Sequence, residues 1–173
     1  MAAPRDWRGL LSNIPLPEQN LAGMAAGAVL QRLWPLRIGL RSGPPSLLLQ
    51  VAGGASMAAG GALVTWAWFS ARGTRLARPD SLVVSGPYGL SRNPMYVGWG
   101  LVHLGAGLLR NNAWIIAALP PACAAVHREV LREEAFLEAA FPAEFSRYRL
   151  SVSRYLPTRR AGFQAGRRRR PRR

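Results

Sequence analysis

One uncharged segment, Ser46 to Ser70, constrains this chain more than any other feature. A helix needs about 20 predominantly apolar residues to cross the hydrocarbon core of a bilayer, and this segment is longer than that. Small residues let membrane helices approach closely, and aromatic residues favour the membrane boundary. The segment has both kinds, namely Gly53, Gly54, Ala58, Gly60 and Gly61, then Trp66, Trp68 and Phe69. It therefore predicts a membrane-spanning helix.

Three shorter apolar segments accompany it, Leu21–Leu36, Pro94–Leu109 and Ala113–Val126. The first contains Gln31 and Arg32, so a full span and an interfacial helix both remain open for it. The other two are joined by only three polar residues, which predicts an antiparallel hairpin. Together with the long segment they predict an all-α integral membrane protein with about four transmembrane helices.

The chain has a strong excess of positive charge. Its net charge is +15 over 173 residues, and all 23 basic residues are arginine. We expect residues 1–20 to be a polar, unprocessed segment at the membrane surface, and residues 21–157 to form one domain. Residues 158–173 are an arginine-rich tail that predicts disorder. Such a tail favours anionic lipid, at about 1 kcal/mol per basic residue near the surface, over any specific nucleic acid.

The distribution of arginine also orients the chain. With four spans, the polar passage from Ala71 to Asn93 and everything after Arg128 lie on one side of the membrane. Both parts are rich in arginine, and positively charged loops face the cytoplasm. The same reasoning applies if the first segment does not span.

The passage from Asp80 to Gly98 is polar and rich in turn residues. Asn93-Pro94 is typical of a helix start, since Asn accepts a backbone N–H at the N-cap and Pro fits the first helical position. Arg92, Asn93 and Tyr96 would then gather at the positive end of a helix dipole, where an anionic group could sit. An ordinary helix cap beside interfacial tyrosines gives the same pattern.

A second polar feature interrupts the helix that continues from Ala113–Val126 to Phe141. Glu133 and Glu134 fall on an apolar stripe with helical spacing, so at least one carboxylate should face inward. Its partner is either a neighbouring arginine, Arg128 or Arg132, or the cationic part of a bound ligand. A short amphipathic helix, Glu144–Leu156, is predicted next, lying over the cytoplasmic membrane face.

Two blocks of residues resemble the signature of the isoprenylcysteine carboxyl methyltransferase family and its phospholipid methyltransferase relatives. The first block runs Leu82-Val83-Val84-Ser85-Gly86-Pro87-Tyr88, then Ser91-Arg92-Asn93-Pro94-Met95-Tyr96-Val97-Gly98. The second comprises Glu133-Glu134, Leu137, Phe141, Tyr148 and Val152-Ser153-Arg154-Tyr155-Leu156-Pro157. The chain differs at Asn93 and Asp80, where the family commonly has His, and at Pro142, where it usually has Gly.

The resemblance implies an S-adenosylmethionine-dependent membrane methyltransferase of the bacterial type, multi-pass in the inner membrane with its site on the cytoplasmic side. Its acceptor would be lipophilic, either an isoprenylcysteine-like carboxylate or a lipid amine. Within such a site we expect Arg128 or Arg132 to be the catalytic group that faces the acceptor, and we expect no metal ligand. The implied cofactor-binding residues are Asp80, Ser81, Leu82, Val83, Tyr88, Arg92, Asn93, Pro94, Met95, Tyr96, Glu133 and Glu134.

Two other functional classes fit the composition. A non-enzymatic membrane scaffold would use the arginine-rich tail to recruit a partner and would bind no cofactor. A small transporter would show internal repeats or broken helices in matching halves, and the sequence has no such repeat.

Overall fold

The protein was analysed as a computed structural model, which describes residues 18–39, 44–72 and 81–157. These ranges contain five α-helices, one short 3₁₀ helix and no strand. The elements are α1 (Glu18–Leu33), α2 (Pro44–Ala71), a 3₁₀ helix (Gly86–Gly89), α3 (Pro94–Leu109), α4 (Ala113–Ala140) and α5 (Pro142–Ser151). The predicted all-helical class is confirmed. Residues 1–17 of the amino-terminal segment, Asp80 and the arginine-rich tail lie outside the described residues.

Helix α2 has the length and composition of a membrane span. Its apolar part, Ser46–Ala71, has 26 residues, and the most apolar 18-residue window within it has a mean hydropathy of 1.6. At about 1.5 Å per residue it measures roughly 39 Å, more than the ~30 Å core of a bilayer. Only 11% of its most apolar window is buried in the protein, so most of its surface faces outward. By length and composition it is the one such helix among the described residues.

Glycines bring α2 and α3 into backbone contact. A Cβ on Gly60 would lie 2.5 Å from the carbonyl oxygen of Gly98, and a Cβ on Gly53 would lie 2.9 Å from that of Gly105. Position 53 thus lies opposite position 105, and position 60 opposite 98, so the two helices are antiparallel. Of the small residues noted in the sequence, Gly53 and Gly60 therefore serve helix packing within this chain.

Helix α1 packs against α4 in the same manner. A Cβ on Gly27 would meet the backbone of Ile115 at 2.7 Å, and one on Gly23 would meet the His103 ring at 2.9 Å. His103 is fully buried, and its two ring nitrogens lie 3.0 Å from Asn20 Oδ1 and 3.0 Å from the carbonyl of Ile115. Its contacts join α1, α3 and α4, so its role is in packing.

The predicted hairpin of α3 and α4 is present, and its turn is fixed by two asparagines. Asn111 has φ 49 and accepts hydrogen bonds from the backbone of Ile38 and Gly39 at 3.0 and 2.9 Å. Asn112 caps α4 by accepting from the backbone of Trp114 and Ile115 at 2.9 and 3.1 Å. Helix α4 then continues through Pro120-Pro121. The predicted continuation from the apolar zone toward Phe141 is confirmed.

The end of the described chain differs from the prediction. The helix predicted over Glu144–Leu156 begins earlier, at Pro142, and ends at Ser151, and Val152 is extended. We call the non-helical segment Val152–Pro157 the strap. Its main chain bonds to the start of α3, where Arg92 N donates to Ser153 O at 2.9 Å. The prediction of a longer helix was wrong because these bonds to a distant segment replace helical ones, and Tyr155 accordingly lies in the strap.

Candidate functional site

A cavity of about 380 Å³ opens at the end of the bundle where α3 begins. This size lies in the ordinary range for small-molecule sites, about 300–1,000 Å³. Its wall combines three parts of the chain that are distant in sequence. From the first block and the residue before it come Ser81, Leu82, Val83, Tyr88, Arg92, Asn93, Pro94, Met95 and Tyr96. From α4 come Glu129, Arg132, Glu133, Glu134, Phe136 and Leu137, and from α5 come Phe145 and Tyr148.

The structure thus brings together eleven of the twelve residues that the sequence assigned to a cofactor. The twelfth, Asp80, lies outside the described residues. Of the two arginines assigned to the acceptor side, Arg132 lines the cavity, whereas Arg128 does not and is exposed. Arg132 pairs with Glu129 at 3.0 Å, and both side chains are well exposed.

Asn93 holds the expected place but not the expected hydrogen bond. It is the N-cap residue of α3, and Pro94 follows at the first helical position. Its side chain makes no capping bond; instead Nδ2 donates to the carbonyl of Arg154 at 3.1 Å. The predicted side-chain cap was therefore wrong. The reason is that the strap lies beside this turn and offers the Asn93 amide an acceptor.

Glu134 is the centre of a buried ion cluster. Its Oε1 lies 2.9 Å from Arg92 Nη2, and its Oε2 lies 2.8 Å from Arg154 Nη2. The Nε atoms of both arginines also donate to Oε1, each at 3.1 Å. Burial alone raises the pKa of Glu134, but the hydrogen bonds and charges of Arg154 and Arg92 outweigh it and hold the pKa below its ordinary value. Both oxygens of this carboxylate are thus occupied by protein.

Arg92 is engaged in the same interior. Besides Glu134, its Nη1 donates to the carbonyls of Arg149 and Val152 at 3.2 and 3.3 Å. Its guanidinium carbon lies 6.0 Å from the ring centre of Phe145, and the side chain is 7% exposed. These contacts connect the start of α3 with α5 and the strap.

Glu133, the preceding residue, has very different surroundings. It accepts a hydrogen bond from the Tyr96 hydroxyl at 2.8 Å and forms no ion pair within the described part of the chain. Glu133 is accessible to solvent at the mouth of the cavity. The protein atoms crowded around the carboxyl group raise its pKa; the Tyr96 hydrogen bond opposes this shift, and the Glu129 carboxylate adds to it. Glu133 therefore offers the cavity a carboxylate with no neutralising arginine.

Sequence reasoning missed several wall residues. Phe145 and Tyr148 belong to an apolar cluster with Val152 that packs on Leu82 and Leu137. The Tyr148 hydroxyl donates to the Tyr88 carbonyl at 2.7 Å, fixing the turn of the first block. Phe136 and Glu129 were also missed as wall residues. Glu129 precedes Glu133 by about one helical turn on α4, and that spacing was the available signal.

Comparison with known proteins adds an independent line of information. The sequence model of the phospholipid methyltransferase family matches residues 48–144, more than half of the chain. A relative described as cobalt-zinc-cadmium resistance protein CzcN, from Cupriavidus metallidurans, is 39% identical over 79 residues. That alignment covers 45% of this chain and 36% of the relative, so the chain spans about a third of the relative's length. No solved structure matches.

Proposed function

This chain belongs to the phospholipid methyltransferase family, and from that premise we propose that it transfers a methyl group from S-adenosylmethionine to a lipophilic acceptor at the membrane. The observation that carries the proposal is that two neighbouring glutamates have different binding partners. Glu134 is neutralised by two arginines, whereas Glu133 faces the cavity with a tyrosine as its hydrogen-bond partner.

The residues of the cavity fit this cofactor chemically. S-adenosylmethionine has a positive sulfonium and an ammonium group, and Glu133 is a carboxylate available to a positive group. Asn93 lines the same cavity with its Nδ2 already bound to the strap, which leaves its carbonyl oxygen as an acceptor. Apolar side chains such as Leu137 and Phe145 complete the wall and suit an adenosine moiety.

Methyl transfer from a sulfonium is an in-line displacement that depends on positioning and on exclusion of water. When bound, the cofactor supplies the reactive methyl group. The protein supplies Glu133 to hold positive charge, and Phe145, which is 1% exposed, to keep solvent from the inner wall. We assign the polar end of an acceptor to Arg132, which lines the cavity and is exposed. A carboxylate acceptor would need no general base, whereas an amine would have to bind unprotonated.

The membrane placement belongs to the same proposal. Helix α2 is exposed and apolar along most of its length. We place α1, α3 and the apolar part of α4, Ala113–Val126, beside it as the remaining spans of a bacterial inner-membrane protein. The cavity then opens at the cytoplasmic face, where a lipophilic acceptor arrives from the bilayer. The arginine-rich tail would bind anionic lipid, and no specific nucleic acid partner is proposed.

Calorimetry of the detergent-purified protein with S-adenosylmethionine and S-adenosylhomocysteine tests the proposal. We expect both to bind, and Glu133→Gln to weaken S-adenosylmethionine by roughly ten- to a hundredfold, since a hydrogen bond to a charged group contributes about 1.5–3 kcal/mol. The pKa of Glu133 is raised above the ordinary glutamate value of about 4.3. The affinity of the wild-type protein for S-adenosylmethionine should therefore begin to fall, on acidification, at a pH above that value.

Glu138→Gln is the matched control. Glu138 lies on the same helix, and its carboxylate pairs with Arg149 at 3.3 Å on the surface, with 46% of its side chain exposed. If Glu133→Gln and Glu138→Gln bind the cofactor equally well, Glu133 is an ordinary surface residue. If the wild-type protein binds neither compound, the methyltransferase proposal fails and the scaffold alternative gains.

A further inference from the structure

Arg154 lies outside the cavity wall, yet its main-chain carbonyl and its guanidinium both bind residues of that wall. It belongs to the strap, which follows every described helix in the chain. Its main-chain carbonyl accepts hydrogen bonds from the first signature block, and its guanidinium binds a carboxylate of the second.

The backbone of Arg154 sets the orientation of the Asn93 amide. The Arg154 carbonyl oxygen lies 3.1 Å from Asn93 Nδ2 and 3.2 Å from Ser91 Oγ. A carbonyl oxygen only accepts hydrogen bonds, so the amide nitrogen must point to the strap and Oδ1 must point away from it. Asn93 is 8% exposed and lines the cavity, and Oδ1 has no partner among the described contacts. The strap thereby makes Asn93 an acceptor toward the cavity.

The side chain of Arg154 decides which glutamate is free. Its Nε and Nη2 bind the two oxygens of Glu134 at 3.1 and 2.8 Å in a two-point contact. Arg92 binds the same carboxylate from the other side. With Glu134 saturated, Glu133 is the carboxylate left facing the ligand.

We infer that Arg154 is a positioning residue, which presents Asn93 Oδ1 and the Glu133 carboxylate together as acceptors for the N–H and positively charged groups of the ligand. The inference rests on the proposed function for the identity of that ligand. It assigns the strap a part in ligand selection, beyond the stability that a buried ion pair would give. Arg154 touches neither the cavity nor the reacting groups, so its effect passes through the two wall residues.

The test compares Arg154→Met and Arg154→Lys with Arg149→Met in the full chain. Methionine keeps the length of the side chain and removes the two-point contact, and lysine restores the charge with one donor group. Arg149 is the matched control because its side chain forms only the partly exposed pair with Glu138. Its carbonyl, which accepts from Arg92, is retained in the variant.

The first readout is S-adenosylhomocysteine binding by calorimetry, with affinity and binding stoichiometry taken separately. We expect Arg154→Met to weaken binding at least tenfold with unchanged stoichiometry, Arg154→Lys to recover part of that loss, and Arg149→Met to match wild type. A merely structural role would lower the fraction of competent protein and leave the affinity of that fraction unaltered. That result, or wild-type affinity in Arg154→Met, would overturn the inference.

The second readout needs no ligand. Amide hydrogen exchange in the peptide covering residues 91–97 should be at least tenfold faster in Arg154→Met, while the α2 peptide covering 53–61 is unchanged. Equal exchange in residues 91–97 would contradict the positioning role, and faster exchange in both peptides would show general destabilisation instead. If wild type binds no cofactor, the proposed function fails, and the exchange comparison decides the positioning role by itself.

Discussion

Glu133 and Glu134 are adjacent in the chain, yet their surroundings shift their pKa values in opposite directions. Glu134 is held below its ordinary pKa by Arg154 and Arg92, against the effect of burial. The pKa of Glu133 is raised above its ordinary value by the surrounding protein, and a single tyrosine hydrogen bond opposes this shift. Neighbouring titratable groups whose pKa values are shifted in opposite directions are characteristic of functional sites.

This difference predicts how stability depends on pH. A folded pKa below the unfolded value means that Glu134 stabilises the fold above about pH 4.3, and that this contribution is lost as the pH falls through the folded pKa. Glu134→Gln leaves the buried Arg92 and the partly exposed Arg154 without their carboxylate. Because one of these two charges is buried, the substitution should cost about 3 kcal/mol at pH 7. Thermal unfolding in detergent at pH 7 and pH 3 should therefore show a large gap between wild type and Glu134→Gln that narrows in acid.

Glu133→Gln is the internal control for that experiment. A raised pKa means that ionised Glu133 costs folding free energy at neutral pH, so its neutralisation should not lower the midpoint at pH 7. A loss at pH 7 as large as that of Glu134→Gln would show that the two carboxylates share one structural role.

Helical spacing located this pair but left open which group each carboxylate binds. Helical periodicity predicted that at least one of the two glutamates faces inward, because the pair interrupts an apolar stripe. Nothing local pointed to Arg154, which lies 20 residues further along, or to Arg92, which lies 42 residues earlier. The neighbours that spacing suggested, Arg128 and Arg132, are exposed, and Arg132 pairs with Glu129. Long-range pairing of side chains requires the fold.

At the scale of elements, the strongest local signals gave the best predictions. Helix α3 occupies Pro94–Leu109, the range predicted from Asn-Pro at its start and the polar turn at its end. Helix α5 failed as a prediction at its carboxyl end, because residues 152–157 have the composition of a helix end but bond to the first block. Local propensity decides the continuous helices, and tertiary hydrogen bonds decide the strap.

The contact of α2 with α3 gives a matched pair of neighbouring glycines. Gly60→Ala would place a methyl group 2.5 Å from the Gly98 carbonyl and 2.9 Å from the Val102 nitrogen, both backbone atoms. Gly61→Ala would meet nothing within 4 Å. We expect Gly60→Ala to lower the midpoint of thermal unfolding in detergent, and Gly61→Ala to leave it unchanged or raise it, since Ala is favoured over Gly in helices by roughly 0.5–1 kcal/mol. Equal midpoints would show that the two helices do not pack through Gly60.

At the scale of the whole molecule, the antiparallel helices bring both signature blocks to one end. Helix α2 ends and α3 begins at that end, and the later part of α4 returns to it, as the Tyr96–Glu133 hydrogen bond shows. The turn of α3 and α4, near Arg110, lies at the opposite end. The uneven distribution of arginine in the sequence indicated the same grouping. It could do so because membrane topology depends on the total number of arginines in each loop, which can be counted from the sequence.

Cysteine labelling in a Cys123→Ala background tests this arrangement in a membrane. Ser81 and Leu156, the latter 71% exposed, lie at the end with the cavity, and Arg110 is exposed at the other. Single cysteines at 81 and 156 should react with an impermeant maleimide from the cytoplasmic side, and one at 110 from the opposite side. Labelling of 81 and 156 from different sides would be incompatible with a shared site.

The strap has a consequence for the order in which the protein is made. Asn93 and Arg154 are 61 residues apart, and every described membrane-apolar helix is synthesised before Arg154 leaves the ribosome. The helices have the means to insert and pair on their own, since their glycine contacts involve only one another. The Asn93 amide and the Glu134 carboxylate, however, gain their Arg154 partner only when the last part of the domain folds back onto α3. A nascent chain stalled before the strap would thus be an assembled bundle whose cavity wall lacks these contacts.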